Sequence, residues 1–182
     1  MTHWFPDNSV IVNFSVIVNF GRIDRLDLLK SYLRDRARVT QAVSREITDS
    51  TNIVPAMQFL DQQEWFGDPI RVVGDVGRVE GIRRHVFGGS RNEPRKHLGE
   101  SETLYIIQFD TEYSDSVWIT EDKSAYDFAK KNSIITRNTF EVFKELCAFG
   151  ELTKEAAFDL MESLFQMERL FYCPRSSREF DE

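Results

Sequence analysis

The 182-residue sequence predicts an α/β fold, a three-layer α/β/α sandwich around a central parallel sheet. Short apolar runs rich in β-branched residues alternate with amphipathic segments at helical spacing, the pattern of parallel strands covered on both faces. No linker or low-complexity segment interrupts the chain, and its length supports one well-buried core. The predicted organisation is a single domain over residues 1–172, followed by a polar, frayed tail over 173–182.

The elements follow in order. A six-residue unit, SVIVNF, is written twice without a break over residues 9–20. "RIDRLDLLKSYLRD" (22–35) carries Ile23, Leu26, Leu29, Tyr32 and Leu33 on one helical stripe. "ARVTQAVSREI" starts as a short strand and passes into a helix with Val43 and Ile47. "NIVPAMQFLDQQEWF" is helical after Pro55 and ends at Gly67. "PIRVVG" (69–74) is a compact strand, and "DVGRVEGIRRHVFGG" is a helix closed by Gly88 and Gly89. The polar "SRNEPRKHLG" reads as a loop. "ESETLYIIQFDT" is a helix with Leu104 and either Ile106 or Ile107 inward. "DSVWITED" is a buried strand with an acidic end, "KSAYDFAKKN" a helix and "SIIT" a short strand. "NTFEVFKELCAFG" and "TKEAAFDLMESLFQMERLF" are the last two helices.

The formal net charge of −7 argues against a protein that coats nucleic acid non-specifically. It leaves room for a local patch. Between Arg71 and Lys96 lie seven basic and three acidic residues, and Arg83, Arg84, Arg91, Arg95 and Lys96 are candidate contacts for a polyanion such as RNA. No apolar run approaches the roughly 20 residues that span a bilayer. The N-terminus lacks the charge pattern of a signal peptide. Cys147 and Cys173 have no metal-ligand spacing and read as reduced thiols, which points to the cytoplasm. The 15 phenylalanines fall at core spacing, and His85 and His97 read as solvated residues flanking the basic stretch. "GDVG" and "FGGS" lack the Lys-Ser/Thr of a phosphate-cradling loop.

Carboxylates stand where strands end or helices begin: Asp7 after "HWFP", Glu46, Glu100 and Glu102 in "LGESETLYI", and Asp122 closing "VWITED". Each has an ordinary role available as a helix cap or first-turn acid. Joint placement at the carboxyl edge of a parallel sheet would make them repel one another unless a cation intervened. Mg²⁺ or Mn²⁺ with oxygen ligands is the natural occupant.

These stretches, in this order, resemble the PIN-domain ribonuclease family over residues 3–171. "FPDNSVIVNF" with "GRIDRLDLL" is similar to its opening, "VTQAVSREI" to its second motif, "LGESETLYI" to its third, and "VWITEDKSAYDFAKKNSI" to its fourth. The resemblance implies Mg²⁺ or Mn²⁺ held by Asp7, Glu46, Glu100 or Glu102, and Asp122, with Ser9 and Thr120 supporting the ligands. It further implies hydrolysis of RNA phosphodiesters, and a toxin of a toxin–antitoxin pair, with an antitoxin and a homodimer as partners. A catalytically inactive binding module on the same fold is the alternative.

The family pattern fits one SVIVNF, so two registers are open. In one, Asp7 keeps the first ligand position and six residues enter the following helix. They would turn it by roughly 240° and misplace its apolar stripe, whereas looping out the extra copy would expose Val, Ile and Phe. In the other, Ser9–Val12 forms the first strand, Asn13 takes the ligand position, and the helix keeps its phase at the expense of a carboxylate. Packing favours the second register, in which the duplication weakens the enzyme.

Overall fold

A computed structural model describes residues 2–8, 15–167 and 172–181. Three parallel strands, β1 (Trp4–Pro6), β2 (Val117–Ile119) and β3 (Thr136–Arg137), form a sheet in the order β1-β2-β3. Phe5 stands opposite Trp118 and Pro6 opposite Ile119. Two single parallel bridges, Trp4 with Ala37 and Thr40 with Ile70, carry the sheet outward beyond β1. The expected strands at 37–40 and 69–74 are reduced to these bridges.

Nine α-helices lie among the described residues. Helices α1 (Val16–Arg22) and α2 (Leu26–Leu33) replace the single helix expected over 22–35. The chain turns between them at Asp24, whose φ of 54° no α-helix accommodates. Helix α3 (Gln41–Ser50) is capped by Thr40. A 3₁₀ turn (Pro55–Phe59) and α4 (Gln62–Phe66) follow, and Gly67, with φ 64°, ends that stretch as expected. Helices α5 (Val76–His85) and α6 (Leu98–Phe109) lead to β2. Helix α7 (Lys123–Lys131) connects β2 to β3, and α8 (Thr139–Ala148) and α9 (Lys154–Gln166) complete the set.

The strands are buried on both faces because their alternating side chains feed two cores. Phe5 and Trp118 point to one, with Leu104, Ile106 and Ile107 of α6 and Ala125 and Ala129 of α7. Both isoleucines that were alternatives for the inward position are therefore buried. Ile119 points to the other core, with Val16, Ile17 and Phe20 of α1, Leu29 and Leu33 of α2, and Val142, Phe143 and Leu146 of α8. This is the three-layer sandwich that the alternation of elements predicts. Phe180 corrects the expectation of a frayed tail. It sits on a 3₁₀ turn (Ser177–Phe180) and is buried in the second core against Phe140, so an apolar side chain anchors an otherwise polar segment.

Candidate active site

Asp7 follows β1 at the carboxyl edge of the sheet, where its side chain is 5% exposed. One oxygen, Oδ1, accepts from the Val16 backbone N–H at 2.8 Å. The other, Oδ2, accepts from the Thr120 hydroxyl at 2.6 Å and from the Glu121 backbone N–H at 3.2 Å. Thr120 itself follows β2, and its Oγ1 also accepts from the Asp122 N–H at 3.1 Å. The two strand ends are thus tied across the sheet by one hydroxyl.

This geometry bears on the second copy of the doubled segment. The second copy, Ser15–Phe20, supplies the N-cap and first turns of α1, and Val16–Phe20 are all buried. The Ser15 hydroxyl reaches back to the Asp7 carbonyl oxygen at 3.2 Å and to Asn8 Oδ1 at 3.4 Å. Among the described residues it is Asp7 that stands at the strand end, contrary to the register with Asn13 in that place. Looping out one copy, at the expense of exposing Val, Ile and Phe, is the form of the first register that keeps Asp7 at the strand end and starts α1 at the second copy. Asp7 after β1 and Ser15 at the N-cap of α1 stand on either side of residues 9–14. Ser9 and Asn13 lie outside the described residues; Ser15, the matching residue of the second copy, makes the contact to the Asp7 backbone.

Glu46 approaches from α3 and Glu100 from the first turn of α6. Their helices pack closely because position 99 is glycine. A Cβ there would stand 2.8 Å from Glu46 Oε2 and 3.0 Å from Val43 Cγ2. Burial is the main reason that Glu46 holds its proton up to a pKa of about 10, followed by the charges of Glu100, Asp7 and Glu102, while the Gly99 backbone N–H works the other way. Burial also raises Asp7 well above the usual carboxylate range, against its hydrogen bonds from Thr120 and Val16 and with the help of Glu100 and Glu121. Glu46 Oε2 and Glu100 Oε2 are buried without a hydrogen-bond partner. Among the described residues no lysine or arginine pairs with Asp7, Glu46, Glu100 or Asp122. Carboxylates buried side by side without counter-charge, two of their oxygens lacking a hydrogen-bond partner, are a costly arrangement for a metal-free protein and a fitting one for a divalent cation.

The other acidic candidates are used differently. Asp122 caps α7, accepting from the Ala125 N–H at 2.9 Å with one oxygen. Glu102 accepts from the Ala42 N–H at 2.9 Å, which places it at the amino end of α3. Glu121 accepts from the Thr139 N–H at the start of α8. Of the two acids in "GESE", Glu100 is the one with a buried oxygen that lacks a partner.

One member of the site was not expected. His97, read from sequence as solvated, has a side chain only 11% exposed. Its Nδ1 lies 3.5 Å from Glu100 Oε1, and that carboxylate raises its pKa above the ordinary value. His97, Glu100 and Asp122 can each offer one donor atom with all three within 4.8 Å of one another.

The basic candidates separate. Arg83 is 1% exposed. Its guanidinium bonds both Glu80 oxygens, at 2.7 and 3.0 Å, and donates to the carbonyls of Ser90 and Glu93 at 3.0 and 3.1 Å, with that of Lys96 at 3.4 Å. That corrects its assignment as an RNA contact: carbonyls of a polar loop, rather than phosphates, consume its donors. Arg84 is paired with Glu80 at 2.5 Å. Arg91 and Arg95 are exposed and Lys96 half-buried, with Arg95 3.8 Å from Asp49 and Lys96 3.6 Å from Glu93. These three belong to the loop that ends at His97.

A family model described as a PIN domain (DUF3368) matches residues 9–179. The chain belongs to the PIN-domain family. PIN domains are a nuclease fold that generally works with divalent metals, and the acidic edge of the sheet is where this chain gathers its candidate ligands. The match begins two residues after Asp7, so the place of Asp7 rests on the geometry above. No curated protein and no solved structure matches the chain. Among the described residues no helix is long and apolar enough to cross a membrane.

Proposed function

We propose that this chain is a Mg²⁺- or Mn²⁺-dependent endoribonuclease, and that it serves as the toxin of a toxin–antitoxin pair. One observation carries the catalytic reading. Carboxylates from β1, α3, α6 and the end of β2 converge on one sheet edge, and two of their buried oxygens have no partner. Asp7, Glu46, Glu100 and Asp122 would hold the metal. When bound, a divalent ion supplies charge to offset the attacked phosphate and acidifies water for the attack.

The chain's own residues do the positioning. Thr120 and the Glu121 N–H hold Oδ2 of Asp7 and the Val16 N–H holds Oδ1, which leaves a lone pair on Oδ1 for an ion. Asp122 is held by its cap bond to Ala125, which leaves its second oxygen for the site. Arg91, Arg95 and Lys96 would receive backbone phosphates beside the acidic edge, and such contacts fix register without reading bases. The toxin role, an antitoxin partner and a homodimer follow from the resemblance of the sequence motifs. Two free cysteines suit a reducing, cytoplasmic setting.

The test is cleavage of a mixed single-stranded RNA pool with Mn²⁺ or Mg²⁺, alongside Mn²⁺ binding. Deleting residues 9–14 or 15–20 gives the same sequence, so a single-copy chain is one comparison and Asp122→Asn in the full chain the other. The expected result is cutting by both unsubstituted chains and a loss of at least about 100-fold on Asp122→Asn. If neither chain cuts RNA or takes up Mn²⁺, the inactive binding-module reading replaces this one.

A further inference from the structure

We propose that His97 is a ligand of the metal centre, which makes the site a mixed nitrogen–oxygen one that favours first-row transition ions over Mg²⁺. This rests on the metal-dependent reading above and adds a residue and a selectivity to it.

His97 occupies the N-cap of α6, a position where Ser, Thr, Asp or Asn would bond the first free N–H groups of the helix. It makes no such bond. Its backbone is left-handed, at φ 60° and ψ 20°, a conformation that non-glycine residues hold only at a cost. That backbone is held in place by Ser101, fully buried, whose N–H and hydroxyl both donate to the His97 carbonyl, at 3.1 and 2.5 Å. Phe87 flanks the imidazole, with ring centroids 6.0 Å apart.

The side chain so placed is spent on neither capping nor solvent. Nδ1 is buried and has no hydrogen-bond partner, and Glu100 Oε2, on a side chain 4% exposed, has none either. Ligand atoms about 2.0–2.2 Å from an ion lie within roughly 4 Å of one another. The donor set of His97, Glu100 and Asp122 spans at most 4.8 Å, so small side-chain rotations suffice. Mg²⁺ selects oxygen ligands, whereas an imidazole adds affinity for ions along the series from Mn²⁺ to Cu²⁺. The competing role for His97, a cationic partner of Glu100 that only orients it, would affect all divalent ions alike.

The experiment uses the full chain with Mn²⁺ alone. Pulsed electron paramagnetic resonance of the Mn²⁺-loaded protein should show hyperfine coupling to a directly bound ¹⁴N. His97→Asn, chosen because Asn tolerates the left-handed backbone, should abolish that coupling. It should lower Mn²⁺ affinity by about tenfold and leave Mg²⁺ affinity, measured by competition, nearly unchanged. Absence of ¹⁴N coupling in the unsubstituted protein overturns the proposal without need of any variant. So does an equal loss of both ions in His97→Asn. Failure of the unsubstituted chain to bind either ion would instead sink the metal-centre reading itself, and with it this one.

Discussion

Around Arg83 and around Asp7 the fold buries charge under opposite conditions. Arg83 sits within a closed set of partners, with both Glu80 oxygens and the carbonyls of Ser90, Glu93 and Lys96 consuming its donors. At the sheet edge, Asp7, Glu46 and Glu100 are packed within reach of one another's fields, and two oxygens go unpaired. The first arrangement is complete as it stands and shapes the loop before α6. The second is incomplete, and its cost to the metal-free chain is the mark of a site built for something that binds.

The largest effect on stability should come from breaking the closed set. Arg83→Met keeps much of the side-chain volume but orphans three carbonyls, and should cost about 3 kcal/mol, a drop of roughly 6–12 °C in Tm. If the melting point holds, the closed description of Arg83 is wrong. A smaller effect of opposite sign belongs to the open set. In the metal-free protein, Glu46→Gln should raise Tm by several degrees near pH 8. The sign follows from its folded pKa of about 10 against 4.5 in an unfolded chain. Above pH 4.5 the unfolded chain releases a proton that the folded one retains, so Glu46 costs stability increasingly as pH climbs toward 10. The gap between variant and parent should therefore widen from pH 5 to pH 9, and saturating Mn²⁺ should reverse it. A gap independent of pH would show that Glu46 is not crowded. The smallest effect concerns Glu102, whose charge is spent on a helix end. Glu102→Gln should lower Tm by only a degree or two and leave Mn²⁺ affinity within about threefold. A tenfold loss would move Glu102 into the metal site.

Much of this was legible in the sequence. The motifs that resemble the PIN family point to Asp7, Glu46, Glu100 and Asp122 as candidates, and three of these stand at a strand end or a helix start, where a parallel sheet collects its polar groups. The sequence does not show which oxygens remain unpaired, and so Glu100 and Glu102 look alike until Ala42 is seen to claim one of them. Arg83 lies in a basic run, and only the folded loop brings the carbonyls that bury it. His97 looks like a lone polar residue because its importance comes from a left-handed backbone that no periodicity encodes. For the doubled SVIVNF, packing read from the sequence favours Asn13 because looping out a copy exposes Val, Ile and Phe; in the structure α1 starts at the second copy with Asp7 still at the strand end, and the connection between Asn8 and Ser15 joins them.

That connection has a consequence for protein engineering. On either side of it, Asn8 and the Ser15 hydroxyl are neighbours beside Asp7, and the Val16 N–H reaches the carboxylate. A segment whose two flanks are held in this way is a place for insertions at the rim of the acidic edge. A substrate-reading loop, an affinity handle or a fluorescent amino acid could be grafted between Asn8 and Ser15 and would report from the mouth of the site.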